Sequence, residues 1–562
     1  MRCLFGKIVF MLIISLPLYS QSSEREQALV TSDPYWRQAL GGAVISLPSV
    51  QVQSAVVALD GGNIRAYSTS GNHMWNYSAR GRISPFVSRS REGTSYLSRT
   101  NGTLIAVNRA GRELWRRSMD APLCAKVIVG WDGRLFAPTS EKIYCYTASG
   151  TLLWTKILEA PILVAPKLDK MGGILFALNN NAIYRMDPFG NTQTWPLAER
   201  PGFLISLDRN RIIILYVNGA VQELGASEDW FISAQSGEHS AVMPWLPSGP
   251  LAAVSMGNNI AATVNDGRVV LLSVNERRIL WTANSHIREL SNSGGRPDNT
   301  EVEMICDERG IYVLSRNGAT GFAHNGTRHW FTYLNNAASV PAFGNDGVLY
   351  SGTRDWILYA YRIEDRVLPE RNALYGPVPD GTYGMGRPRH LDTLEIPLNE
   401  SEKRAKLEEI TAAASAGTFG ANEIAWTSFL LEIAAGQEPL QSRIGALNLL
   451  GKIGSQETIP WLINIFRRDT EPLIRGAAIN AIGEIGVDPQ GLAIQTFLFS
   501  VVQNSIRDEH ILTAIASATG ALCRFSGPPL SETGVRILNL LSASNQPAAT
   551  RRQANRELAS LR

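Results

Sequence analysis

Tryptophan recurs through the first two-thirds of this chain at a nearly fixed interval, and no other feature constrains the fold as tightly. Trp36, Trp75, Trp115, Trp154 and Trp195 stand 39, 40, 39 and 41 residues apart, and Trp230, Trp281 and Trp330 continue the series at looser steps. A period of about 42 residues is the size of one four-stranded propeller blade. The surroundings repeat too. GNHMW at 71–75, GRELW at 111–115, GTLLW at 150–154 and GTRHW at 326–330 share one frame, while GNTQTW at 190–195 and NERRILW at 275–281 are looser copies. Upstream lie alternating segments such as IRAYS at 64–68, LIAVN at 104–108 and ILYAY at 357–361. Asx-Gly pairs precede most of them, among them Asp60-Gly61, Asn101-Gly102, Asn218-Gly219 and Asp266-Gly267. Such pairs accept positive φ at low cost and suit tight hairpins. Each unit reads as strand, hairpin, strand, glycine turn, then a strand opened by tryptophan.

One blade cannot bury both of its faces, but blades arranged around an axis cover one another. Each Trp of the series is therefore expected in the core, as an apolar plug between neighbouring blades. Trp36 lacks a preceding hairpin, and the strand at 357–363 lacks its own Trp. The two halves complete each other if the N-terminal strand joins the last blade. That gives eight blades; the irregular fifth to seventh units leave seven open.

The hairpin and Ala-x4-Gly-x3-Trp frame, over about 330 residues, resembles the pyrroloquinoline-quinone (PQQ)-like propeller repeat. That family implies one of two kinds of protein. One is the calcium-dependent quinoprotein dehydrogenases, which hold a quinone in the propeller centre and often carry two adjacent cysteines over it. The other is cofactor-free binding propellers, including the BamB-like propeller subunit of the bacterial outer-membrane barrel-assembly machinery, which is typically lipid-anchored and has no helical tail. This sequence has no adjacent cysteine pair and little inserted sequence between its strands.

From residue 401 the pattern changes to amphipathic helix, with apolar residues at i, i+3, i+4 and i+7. RIGALNLLGKIG at 443–454 and RGAAINAIGEIG at 475–486 align at 32 residues, resembling HEAT-type repeats. Gly445, Ala446, Gly476, Ala477 and Ala478 are expected where helices approach closely, and Gly454 and Gly486 where helices end. The organisation expected is a signal peptide at 1–20, a PQQ-like β-propeller at 30–365, a Pro/Gly-rich linker at 366–400 and HEAT-like helical repeats at 401–562. The fold class is thus multidomain β plus α, a propeller followed by an α-α superhelix.

The N-terminus carries Arg2 and Lys7, an apolar run at 8–18 and a polar stretch from Tyr19, the pattern of an export signal with cleavage after Ser20. No cysteine follows that run at a lipidation position, and no later segment approaches the apolar length of a membrane span. A soluble periplasmic or extracellular protein with no lipid anchor is expected. Cleavage removes two cations and no acid, taking the formal charge from +3 to +1. That balance excludes a nucleic-acid binder with the usual basic excess. Four cysteines then remain, too few for a disulfide scaffold. Cys124 and Cys145 lie within one repeat, where a disulfide and two buried thiols are both open.

No catalytic, cofactor-binding or metal-binding residues are assigned. His324 and His329 flank a turn but have no third ligand nearby, and no P-loop, H-E-x-x-H or G-x-S-x-G occurs. Trp131, Trp245 and Trp356 stand outside the repeat and are expected to pack rather than to stack on a cofactor. The function expected is a non-catalytic scaffold without cofactor, binding envelope or exported proteins through both modules, possible work in envelope protein assembly included. The alternatives are a PQQ- and calcium-dependent dehydrogenase and a glycan- or peptidoglycan-binding propeller.

Overall fold

The structure is a computed structural model that describes residues 33–46, 54–90, 92–208, 211–224, 230–232, 246, 249–285, 302–307, 309–334, 336–344, 347–363, 399–418, 423–488, 491–504, 506–527 and 530–561. The expected signal peptide, almost all of the linker and Trp245 lie outside these residues.

Eight four-stranded antiparallel sheets form the propeller. Blade 1 runs Val44–Ser46, Ser54–Leu59, Asn63–Ser68 and His73–Ser78, from the axis outward. Blades 2 to 7 have their strands within 88–118, 128–157, 162–196, 201–232, 250–284 and 302–333. Blade 8 combines three strands within 342–362 with the N-terminal strand Trp36–Ala39, which pairs Trp36 with Ala360 and Ala39 with Ile357. The ring is thus closed by a blade made from both ends, and the blade number is eight.

The glycine–tryptophan frame has a direct cause. The indole N–H groups of Trp36, Trp75, Trp115, Trp154 and Trp281 donate to the carbonyls of Thr69, Arg109, Ala148, Pro188 and His324, at 2.6–3.0 Å. Each acceptor lies in the outer turn of the following blade. The turn glycine, Gly111 or Gly150 for example, has φ +79 or +83, and a Cβ on it would sit 2.7 or 2.6 Å from the indole of Trp75 or Trp115. Glycine is required there twice over, by backbone conformation and by contact. The apolar clusters span blade pairs as closure demands; Val56, Ile64 and Ala66 of blade 1 pack with Leu97, Ile105 and Val107 of blade 2.

Nine helices follow among the described residues: α1 Glu400–Ala416, α2 Glu423–Ala435, α3 Leu440–Ile453, α4 Ile459–Arg468, α5 Pro472–Ile485, α6 Ile494–Gln503, α7 Glu509–Ser526, α8 Glu532–Ser542 and α9 Ala548–Leu561. Helices α3, α5, α7 and α9 stack in one row, backed by α2, α4, α6 and α8. Asn399 and Glu402 form a capping box on α1, and Asp508 and Ser531 cap α7 and α8.

The repeated arginines have the same job in both aligned segments. Arg443 donates to the Ala434 carbonyl at the end of α2, and Arg475 to the Phe466 carbonyl in the last turn of α4. Gly454 and Gly486 do end α3 and α5. The closest approaches lie elsewhere than expected. A Cβ on Gly445 would meet nothing within 4 Å, whereas one on Gly483 would sit 2.6 Å from the Ala518 Cα and one on Gly451 3.1 Å from the Ala481 Cα.

Candidate functional site

Antiparallel strands divide the propeller's loops between two ends. The first and third turns of each blade share one end. The second turn and the crossing to the next blade share the other, called here the crossing end. The structure uses the two ends differently.

At the first end the helical stack is fastened to blades 2, 3 and 4, by the C-terminal ends of its front row. Arg109 in the outer turn of blade 2 donates through Nε and Nη2 to the Gly527 carbonyl just after α7, at 3.0 and 2.9 Å. Asn108 Nδ2 donates to the Arg524 carbonyl at 2.9 Å, and Arg112 Nη1 to the Ser560 carbonyl of α9 at 3.0 Å. A helix C-terminus leaves carbonyls without intrahelical partners and carries partial negative charge. Arginines from the propeller supply both missing donors and positive charge. Burial also holds the Arg109 guanidinium below its ordinary pKa.

Beside these caps, one apolar cluster runs without a break from Phe136, Trp154 and Phe176 in blades 3 and 4 to Ile410, Leu450 and Ile482 in the helices. Arg134 of blade 3 forms a buried ion pair with Asp132 at 2.8 Å and donates to the Pro188 carbonyl at 2.8 Å. Its guanidinium lies 5.0 Å from the Phe189 ring centre. Asp132 and Arg134 face Lys452 and Glu484 of the helices across a narrow cleft. Burial pushes the Glu484 carboxyl above its ordinary range.

The channel is bridged. Lys126 leads into the inner strand of blade 3, and its Nζ lies 3.8 Å from Glu303 Oε2 on the inner strand of blade 7. In an eight-bladed ring these blades are opposite, so the pair meets across the axis. Lys167, on the inner strand of blade 4, lies 4.9 Å from the Phe203 ring centre of blade 5. Burial pulls its ammonium down to about 8, partly offset by Glu303.

Trp356 stands at the crossing end, in the second turn of blade 8. It was expected to pack, yet it is 53% exposed and its backbone has φ +65. Trp131 does lie partly buried, in the first turn of blade 3. Cys124 is a free thiol that burial makes harder to ionise, so the structure does not join it to Cys145. His324 Nε2 bonds the Asp307 carbonyl at 2.8 Å. Among the described residues no group of three or more His, Cys, Asp or Glu could hold a metal ion, and no helix is long and apolar enough to cross a membrane.

Sequence reasoning assigned no role to Arg109, Arg112, Lys126, Lys167 or Glu303. The only signal for the first two was the outer turn NRAGR at 108–112, with two arginines where the turns of blades 1 and 3 read STSGN and TASGT.

Residues 100–366 match the family described as outer membrane protein assembly factor BamB, and residues 427–522 match HEAT repeats. No curated protein sequence matches the chain. Similar solved structures include BamB from Moraxella catarrhalis, 14% identical over 58% of this chain and 98% of that one, with a TM-score of 0.42. The computationally designed Ika8 protein is 11% identical over 58% and 97%, with a TM-score of 0.43. Sqt1 of Saccharomyces cerevisiae is 9% identical over the same shares, with a TM-score of 0.44. The chain is thus an eight-bladed propeller that matches the BamB family model over residues 100–366, followed by a helical region that matches HEAT repeats over 427–522.

Proposed function

We propose that this chain is an exported, non-catalytic scaffold that holds proteins during assembly of the cell envelope. The observation that carries the reading is the joint. Two repeat modules, each of a kind that offers broad surfaces to partners, are fixed to one another by arginine caps and a shared apolar cluster. A hinge between them would serve a moving enzyme; a capped joint serves to hold two bound partners at a set spacing. The match of residues 100–366 to an assembly-factor family supports the envelope setting. The export pattern at residues 1–20 supports the compartment. The channel supports the non-catalytic part, because the half-exposed Lys126 and Glu303 side chains reach towards each other across its axis, 3.8 Å apart.

The test is affinity capture from an envelope extract with the processed chain as bait, alongside titration with PQQ and calcium. The scaffold reading expects a reproducible set of retained proteins that survives Lys126→Ala and Glu303→Ala in the channel. Stoichiometric uptake of quinone and calcium with alcohol or sugar oxidation, or no protein retained by the bait, would contradict it.

A further inference from the structure

We propose that the crossing end over blades 8, 1 and 2 is a docking surface for an acidic peptide segment of a partner protein, with Trp356 gripping an apolar side chain within that segment. This rests on the scaffold reading and adds the place and the chemistry of one contact.

The first observation is backbone strain at an exposed aromatic. In the second turn of most blades the fourth residue closes the hairpin by donating its N–H to the first. Gly62, Gly102, Gly219 and Gly267 hold that place with φ between +80 and +89. Blade 8 puts Trp356 there, donating to the Thr353 carbonyl at 3.2 Å with φ +65. A bulky residue in the left-handed region is an outlier, and glycine would relieve it. The indole does not repay the strain by packing, since the residue is 53% exposed. Strain of this kind gathers at ligand contacts, and half-exposed tryptophan is enriched among the residues that dominate interfaces.

The second observation is charge. The loops that continue from Trp356 around the ring carry the exposed Arg354, Arg80 and Arg82 and the half-buried Arg99, with Arg65 half-buried on the adjoining strand of blade 1, against Asp60 and Asp355. The loops are contiguous. The Trp356 carbonyl accepts from Leu40 N–H at 2.7 Å; Arg65 Nη2 would lie 3.5 Å from a Cβ on Gly41; Arg99 lies against Gly81; Thr100 N–H donates to the Arg82 carbonyl at 3.0 Å. Arg80, itself exposed, and Asn336, at the crossing into blade 8, are also non-glycine residues at positive φ, +54 and +57. The same end over blades 3 to 5 carries Asp120, Glu141, Glu159 and Glu199 instead, with Lys142 and Arg200. In a chain whose formal charge is only +3, the arginines are gathered on one arc rather than in general excess. Arginine forks pair with carboxylates in bidentate fashion, and a carboxylate-rich segment complements this arc as no neutral one does.

The probe is a fluorescein-labelled peptide of alternating glutamate and phenylalanine, titrated with the full chain by fluorescence anisotropy. A lysine–phenylalanine peptide and vesicles containing phosphatidylglycerol run beside it. The proposal expects saturable binding of the acidic peptide, weakened by salt, and none of the basic one. Combined Arg80→Glu, Arg82→Glu and Arg99→Glu should weaken binding at least about tenfold, and Trp356→Gly by about tenfold. Trp356→Gly should leave the melting temperature unchanged or raise it. If the triple change unfolds the chain, Arg354→Glu, at an exposed hairpin tip, is read in its place. Unchanged affinity in these variants overturns the proposal, as does binding of vesicles but not peptide, which would make the arc a membrane contact. Lost stability with full binding in Trp356→Gly overturns the role given to the indole. Failure of the scaffold reading looks different, because there the unaltered chain retains no envelope protein. If it retains a set and the charge-reversed chain retains the same set, this surface alone is refuted.

Discussion

The propeller closes on itself, whereas the helical stack is an open row whose front-row helices end against another module. At five junctions a blade lends its indole to the outer turn of the blade after it, with Trp36 closing the circuit from blade 8 onto Gly71 of blade 1. The helices treat their two ends differently. Where α2 and α4 end, arginines from within the stack bond the last carbonyls. Where α7 and α9 end, the arginines come from the propeller. The same capping chemistry is thus local in one place and spans more than four hundred residues in another. The ring's closure is internal to it, whereas the ends of α7 and α9 take donors from outside the stack.

The contrast can be broken in order of size. Trp115→Ala removes a buried indole and its hydrogen bond, and should cost the propeller about 3–5 kcal/mol in urea unfolding. Smaller is Gly483→Leu, which drives a side chain into the Ala518 backbone of the next helix. It should cost about 2–3 kcal/mol and quicken amide exchange in α5 and α7 while the blade strands stay protected. Arg109→Ala with Arg112→Ala deletes the cross-module caps, for about 1–3 kcal/mol in total. Its mark is location: faster exchange at the ends of α7 and α9, with blade 2 unaltered. The smallest effect concerns the channel. The Lys167 amine should titrate near pH 8, followed by the NMR shift of its ε-carbon, and Glu303→Gln should lower that value because Glu303 now raises it. A lysine whose pKa is lower folded than unfolded binds fewer protons when folded, so stability should rise with pH between about 8 and the ordinary lysine value. Lys167→Met should abolish that rise.

The parts of the fold that were legible from sequence are those written within one repeat. The Gly-x3-Trp spacing encodes a contact between adjacent blades, so it recurs and can be read. The unmatched Trp36 and the unmatched strand at 357–363 similarly announced the shared eighth blade. Arg443 and Arg475 were visible as repeats, although their capping role was not. What stayed hidden depends on distant contacts. Arg109 and Gly527 are 418 residues apart, and nothing local distinguishes an arginine that caps a remote helix from one in solvent. Gly445 and Gly451 are both small residues on one amphipathic helix, and only the packing of that helix decides which of them faces a neighbour. Trp356 was assigned to packing on the general behaviour of tryptophan, and only its backbone conformation and exposure show otherwise.

Calorimetry of the chain and of its Arg109→Ala, Arg112→Ala variant tests the central claim, that the two modules work as one body, most directly. The account predicts a single transition for the unaltered chain, splitting in the variant into an early helical melt and a later propeller melt. Two independent transitions in the unaltered chain, or a variant that melts as the unaltered chain does, would contradict it.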